Sequence, residues 1–216
     1  MPQRPVITCL LLFGLTATTA VTRGAARTAL VPDREDAADA ARLIEVLDVG
    51  QGSTVAEIGA GEGALTLAMA EHVGRSGRVY SSELGPERVA DLRQAVAKAD
   101  LENVTVLEGH ANQTNLPDKC CDALFMRRVY HHFEDPGAMN ASLWRSLKPG
   151  GRLAIIDFPP DTGESAEPSG RSDGDQHGVT AQTVERELKE AAFEVLSTDK
   201  VSDRDFMVVV QKPTMR

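Results

Sequence analysis

Residues 55–63, Val-Ala-Glu-Ile-Gly-Ala-Gly-Glu-Gly, constrain the fold of this chain more than any other segment. The first four residues predict a short buried strand, and an apolar helical pattern begins at Gly63. The three glycines between them permit tight backbone angles and let a ligand approach the main chain. The free N–H groups at the start of a helix favour a negatively charged group. The segment therefore predicts a ligand-binding turn between a strand and a helix.

The rest of the chain from residue 33 alternates between strand and helix patterns. This alternation is typical of a parallel sheet covered by helices on both faces. Two final strands are separated by only four residues, which allows only an antiparallel hairpin. We therefore expect an α/β fold with a doubly wound seven-stranded sheet, mostly parallel with one antiparallel C-terminal strand. The predicted strands are 54–58, 78–83, 104–108, 121–126, 152–158, 195–201 and 206–211, and the predicted helices are 36–48, 63–73, 86–99, 136–147 and 180–192.

The segment 159–178 interrupts this alternation because it is rich in Pro, Gly, Ser and Asp. Such a composition has almost nothing to bury, and we expect a mobile loop. The loop either closes over a substrate as a lid or is a disordered insertion.

The first 26 residues have the order of a secretory signal: one early charge at Arg4, a charge-free apolar run over 6–21, and small residues. The run is short for a membrane span, which needs about 20 apolar residues. A signal peptide would place the protein in the periplasm or outside the cell. A membrane anchor would associate it with a membrane and, since more arginines follow the run than precede it, keep the domain cytoplasmic. A disordered N-terminus would also leave the protein cytoplasmic.

The amino-acid composition limits the classes of molecule that this protein is expected to bind. The net charge is −9 without a basic cluster, and only 4% of the residues are aromatic, so nucleic acid is not an expected partner. Cys9, Cys120 and Cys121 provide neither a disulfide framework nor a Cys/His metal spacing, and no metal site is expected. Cys121 is expected to be a small buried side chain at the start of a strand. The alternative for the adjacent pair is a redox or arsenic-binding role. The sequence leaves the oligomeric state open.

The glycine turn by itself fits two kinds of ligand. The pattern Gly59-x-Gly61-x-x-Ala64, with Glu83 at the distance expected for a ribose contact, also satisfies the dinucleotide fingerprint. An NAD(P)-dependent oxidoreductase is therefore an alternative. Glu57 argues against it, because a carboxylate at the end of this strand would repel a pyrophosphate and attract an ammonium group. The opposing interpretation is that Glu57 points outward or caps a loop.

Residues 57–63 resemble the first motif of class I S-adenosylmethionine (SAM)-dependent methyltransferases. Four further features match the family in order: Glu83 at the end of the second strand, and the segments 108–111, 122–133 and 147–153. The similarity covers about residues 35–213 and implies a domain over 33–213 with a Rossmann-like fold and SAM as the cofactor. It implies methyl transfer to an unidentified small-molecule acceptor. The most similar group is that of small bacterial methyltransferases, which includes quinone- and arsenite-methylating enzymes.

The resemblance also implies which residues bind the cofactor. His110 departs from the family, which usually has an acidic residue near the adenine, and a neutral imidazole accepts a hydrogen bond through one nitrogen only. A SAM-binding module without catalysis is an alternative that this departure would fit. The implied cofactor-binding residues are Glu57, Gly59, Ala60, Gly61, Gly63, Glu83, Leu84, His110, Ala111 and Arg127.

No catalytic residue follows from the sequence. Methyl transfer is an in-line displacement that needs alignment, and a base is needed only if the nucleophile carries a proton. The candidates for a base are His131, His132 and His177. We expect His132 to pack inside as a structural residue. His177 either closes over the substrate or belongs to a plain turn before the next helix.

Overall fold

The computed structural model describes residues 33–214 of the chain. The segment 1–26, for which a signal peptide or membrane anchor is predicted, lies outside these residues. Within 33–214, every helix is too short or too polar to cross a membrane.

The described residues form a seven-stranded sheet flanked by five α-helices. The strands are β1 (Thr54–Ile58), β2 (Arg78–Glu83), β3 (Val104–Glu108), β4 (Cys121–Arg127), β5 (Leu147–Asp157), β6 (Glu194–Lys200) and β7 (Phe206–Gln211). The α-helices are α1 (Arg34–Leu47), α2 (Ala64–Val73), α3 (Pro86–Ala99), α4 (Pro136–Ser146) and α5 (Ala181–Glu190).

The strand order is β3-β2-β1-β4-β5-β7-β6, and β7 is the reversed strand, antiparallel to both β5 and β6. The predicted fold is therefore confirmed. The chain runs outward from β1 to β3 and then returns to β4 on the other side of β1. In doubly wound sheets, ligands bind at such a switch point, outside the carboxyl ends of the strands.

Each face of the sheet is covered by helices because the buried strands are apolar on both sides. On one face, Leu43 of α1 and Met69 of α2 pack with Phe125 of β4. On the other, Leu143 of α4 and Leu188 of α5 pack against the sheet. Burial of each such side chain stabilises the fold by roughly 1.5–3 kcal/mol.

Strand β5 begins five residues before the predicted start at 152. Leu147 pairs with Cys121, and the next registered pair is Arg152 with Ala123, so residues 148–151 bulge out of the ladder. Gly150 has a φ of +81°, which a glycine adopts without strain. The Pro-Gly-Gly turn therefore interrupts a strand that has already started.

The expectation that segment 159–178 has almost nothing to bury is wrong. The segment contains two 3₁₀ helices, Pro168–Arg171 and Gly174–Gln176, and Arg171 is only 3% exposed. Its guanidinium lies 3.0 Å from the Glu187 carboxylate of α5 and 3.7 Å from that of Glu164. The composition did not indicate this packing because the buried side chain is charged and is neutralised by ion pairs.

Cys121 is fully buried at the start of β4, as expected for a small apolar side chain. It is joined to its neighbour Cys120 by a disulfide, which links no distant segments. The pair lies at the amino end of β4, at the opposite end of the strand from the switch-point residues.

Candidate active site

A cleft of about 650 Å³ lies at the carboxyl ends of β1, β2, β3 and β4. The parallel register aligns the carboxyl ends of these strands. Ile58 of β1 pairs with Ser82 of β2, and Glu83 of β2 pairs with Glu108 of β3. Most of the predicted site residues therefore meet in one place. Those that line the cleft are Gly59, Gly61, Glu83, Leu84, His110, Ala111, Arg127 and His132. Five others do not line it: Glu57, Ala60, Gly63, His131 and His177.

The three glycines of the turn have different roles. Gly59 has a φ of +70°, and a Cβ there would lie 2.5 Å from Val129. Gly63 has a φ of +89°, and a Cβ there would lie 2.8 Å from Leu92 of α3. At Gly61, with a φ of +54°, a Cβ would meet no atom within 4 Å. Gly59 and Gly63 thus permit close packing, whereas Gly61 leaves open space where the turn borders the cleft.

Glu83 ties the end of β2 to this turn. One carboxylate oxygen accepts the Gly61 N–H at 2.7 Å, and the other accepts the Leu84 N–H at 2.8 Å. A carboxylate has about four acceptor positions, so both oxygens can accept further hydrogen bonds from sugar hydroxyls. The next side chain, Leu84, is 51% exposed and presents its apolar surface to the cleft.

Glu57 is only 3% exposed, and its carboxyl group accepts a hydrogen bond from the Thr66 hydroxyl of α2. Burial raises the pKa of Glu57 from 4.5 to about 8, against the opposing effects of Thr66 and of the Arg127 charge. The group is therefore mainly protonated at neutral pH. That Glu57 attracts the ammonium of the cofactor stays a prediction, and because its pKa is raised, the carboxyl group must lose a proton to do so.

Two arginines join the end of β4 to helix α1. Arg127 lies 2.5 Å from Asp36 and 3.1 Å from Asp39, so its guanidinium is held in place at the cleft. Arg128 has a φ of +56° and pairs with Glu35 of α1 and, at 2.7 Å, with Asp205 before β7. A non-glycine residue in this backbone region is uncommon and often marks a functional site.

His110 is exposed at the far end of the cleft, after β3. The backbone N–H of His110 donates to the Gln113 carbonyl at 3.3 Å, which folds the segment back on itself. The imidazole and the neighbouring Ala111 are both accessible to a ligand.

The prediction that His132 packs inside is wrong: His132 is exposed and lines the cleft, whereas His131 is 1% exposed. Both lie in the 3₁₀ helix Tyr130–His132. With three residues per turn, consecutive side chains point in different directions, and here Tyr130 and His131 face the interior while His132 faces the cleft. Partial burial, followed by the nearby imidazoles of His131 and His177, lowers the pKa of His132 below 6.5.

The buried histidine joins residues from three segments. His131 Nδ1 lies 2.7 Å from the Asp157 carboxylate at the end of β5, and His131 Nε2 lies 3.0 Å from His177 Nε2. His177 thus lies against His131, at the end of segment 159–178. Asp157 is fully buried and was not among the predicted residues. Asp157 could have been predicted from the sequence, because it is an acidic residue at the carboxyl end of β5, the strand next to β4.

These observations define the class of protein. It is an α/β protein whose switch-point cleft combines an open glycine turn with an acidic residue at the end of the neighbouring strand. This arrangement suits a cofactor with a nucleoside part. The open side of Gly61 gives it room, the Glu83 carboxylate offers acceptors for ribose hydroxyls, and exposed Leu84 offers an apolar contact. The residues present therefore fit SAM.

Comparison with known proteins leads to the family. Residues 56–155 match the family described as "Methyltransferase domain". A solved SAM-dependent methyltransferase from Aquifex aeolicus is 27% identical with a TM-score of 0.71, over 84% of this chain and 93% of that one. Arsenite methyltransferase of Halobacterium salinarum is 29% identical over 71% of this chain and 42% of its own length. Demethylmenaquinone methyltransferase of Listeria monocytogenes is 29% identical over 53% of this chain and 48% of its own length.

The family match, the curated relatives and the Aquifex structure together support a class I SAM-dependent methyltransferase domain with SAM as its cofactor. The matches span about half the length of the curated relatives.

Proposed function

We propose that this protein is an enzyme that transfers the methyl group of SAM to a small-molecule acceptor by in-line displacement. One observation carries the proposal: a single cleft joins the predicted cofactor residues Gly61 and Glu83 to the imidazole of His132. Cofactor and acceptor can therefore meet in one site.

In this proposal, SAM supplies a methyl group on a sulfonium sulfur that is already activated for displacement. The chain contributes binding and alignment. Glu83 accepts hydrogen bonds from hydroxyl groups, Gly61 leaves the turn open, and the guanidinium of Arg127, which Asp36 and Asp39 hold at the cleft, offers its remaining N–H groups to an acceptor. His110 and Ala111 border the adenine base of the cofactor.

The acceptor side of the cleft is formed by residues that follow β4, with Arg128, His132, Phe133 and Glu134 on its wall. The net charge of −9 disfavours nucleic acid as the acceptor. The names of the two curated relatives point to small molecules, arsenite and demethylmenaquinone. A nucleophile that carries a proton must lose it, and the histidines beside the cleft can assist this loss.

The test is formation of S-adenosylhomocysteine from SAM in the presence of arsenite or of a hydroxyl- or quinol-bearing probe. We expect product with at least one of these acceptor classes, and none from a Gly61→Val variant. Tight SAM binding without product in any class would favour the alternative of a non-catalytic SAM-binding module. The oxidoreductase alternative is disfavoured by the family match, and NAD binding would revive it.

A further inference from the structure

The side chains of His131, His132 and His177 converge on one point: one potential ligand atom from each lies within 4.8 Å of the other two. We propose that these three histidines bind a divalent first-row transition metal ion, with Zn²⁺ as the ion to test. Imidazole nitrogen is a common ligand for this group of metals. The proposed site lies at the acceptor side of the cleft, which His132 lines.

The spacing of the nitrogens suits such an ion. Zn–N bonds are about 2.0–2.1 Å, so two tetrahedral ligands lie roughly 3.3 Å apart. The Nε2 atoms of His131 and His177 are 3.0 Å apart. His132 is exposed, so a rotation of its side chain can complete the set without repacking the core.

The buried ligand is already oriented. Asp157 accepts the backbone N–H groups of His131, at 3.2 Å, and Phe158, at 2.9 Å. The same carboxylate lies 2.7 Å from His131 Nδ1, which therefore donates to it, and the Nε2 lone pair faces His177. A carboxylate behind a histidine is the usual outer-shell partner of a metal ligand, and it fixes both the tautomer and the direction of the ring.

The backbone also holds His177 in place. The next residue, Gly178, has a φ of +127°, and a Cβ there would lie 2.8 Å from the Phe158 carbonyl. The Val179 N–H donates to that same carbonyl at 3.0 Å. The Phe158 ring packs 4.8 Å from the His131 ring and 5.2 Å from the His177 ring, which places an apolar wall behind both.

Three protein ligands leave a fourth position open, as in catalytic zinc sites. Because His132 borders the cleft, we assign this position to the methyl acceptor, a step that rests on the proposed function. A coordinated hydroxyl or thiol loses its proton to solvent at neutral pH because the ion lowers its pKa. The electron pair left on the oxygen or sulfur then forms the bond to the methyl group. The cofactor sulfur departs with the old bonding pair as a neutral thioether.

Without a metal, the contact between His131 and His177 is a hydrogen bond in which the His177 N–H donates to the lone pair of His131. The experiment must separate the two arrangements. The full-length protein is treated with a chelator and a phosphine reductant, dialysed, and titrated with Zn²⁺ by calorimetry. Bound metal is counted by elemental analysis. We expect one Zn²⁺ per chain.

Single variants locate the ion. His132→Ala and His177→Ala should each weaken Zn²⁺ binding at least tenfold, with unchanged circular dichroism in the metal-free state. His72→Gln is the matched control because His72 lies on α2, where its imidazole bonds the Val49 carbonyl. Cys120→Ser is the second control, because the reductant opens the disulfide of Cys120 and Cys121 and the two thiols could themselves bind Zn²⁺. Both control variants should bind Zn²⁺ like the wild type.

The proposal is overturned if the wild type binds no Zn²⁺, if both histidine variants bind it normally, or if Cys120→Ser abolishes the binding. SAM binding by the metal-free protein is measured in parallel. A protein that binds SAM but no Zn²⁺ refutes the metal site alone, whereas one that binds Zn²⁺ but no SAM refutes the proposed function.

Discussion

Replacing Glu57 with glutamine should make the protein more stable at neutral and alkaline pH. The carboxyl group is 3% exposed and has a folded-state pKa of about 8, compared with about 4.5 for the ordinary group. Below pH 4.5 it is protonated in both states, and its titration does not change the free energy of unfolding. Between pH 4.5 and 8 the unfolded chain ionises while the folded chain keeps its proton, so the free energy of unfolding falls by about 1.4 kcal/mol per pH unit. Above pH 8 both states are ionised and the loss is complete.

Over this range the wild type should lose roughly 5 kcal/mol of stability through Glu57 alone. Glutamine does not titrate but can still accept the hydrogen bond from Thr66. The free energy of unfolding is measured by urea denaturation at pH 5, 6, 7 and 8. The difference between Glu57→Gln and the wild type should grow steadily with pH, while Glu71→Gln, which removes an exposed carboxylate from α2, should change little. Parallel pH profiles for the wild type and Glu57→Gln would refute the assignment of a buried, protonated carboxyl.

Three further changes test other parts of the structure. Gly61→Ala should weaken SAM binding at least tenfold in calorimetry because its Cβ enters the cleft. The control Gly52→Ala, also at a positive φ but outside the cleft, should bind SAM normally. Equal affinities of the two variants would exclude Gly61 from the site. Glu83→Ala should weaken SAM binding about 10- to 100-fold, the contribution of one or more hydrogen bonds to a charged group, and normal affinity would remove Glu83 from the site. Arg171→Met removes a buried guanidinium from its ion pairs with the partly buried carboxylates of Glu187 and Glu164 and should cost about 3–5 kcal/mol in urea denaturation. Arg186→Met, at a guanidinium that is 57% exposed, should cost less than about 1 kcal/mol, and a similar loss in both variants would contradict the buried ion pair.

Much of the fold could be predicted because its signals are local. The alternation of apolar strands and amphipathic helices located every strand, and the four-residue link before Phe206 predicted the reversed β7. The early start of β5 was missed because the pairing of Leu147 with Cys121 depends on a neighbouring strand and not on local composition. The packing of segment 159–178 was missed for a similar reason: Arg171 is buried only because Glu187 lies on another element.

Prediction of the site from the sequence was also limited to what local patterns indicate. Motifs at the strand ends, such as Gly61 and Glu83, could be placed in one cleft because parallel strands bring their carboxyl ends together. Which of two adjacent histidines faces the core depends on the rotation of a short 3₁₀ helix, and the sequence-based choice of His132 was wrong. The contact of His131 with Asp157 and His177 links positions that are 26 and 46 residues apart, which no local pattern reveals.

The central claim is that the cleft binds SAM, and calorimetric titration of the purified protein with SAM, S-adenosylhomocysteine and NAD tests it most directly. We predict micromolar binding of SAM and S-adenosylhomocysteine and no binding of NAD. Binding of NAD without either sulfur compound would contradict the cofactor assignment and with it the proposed methyl transfer.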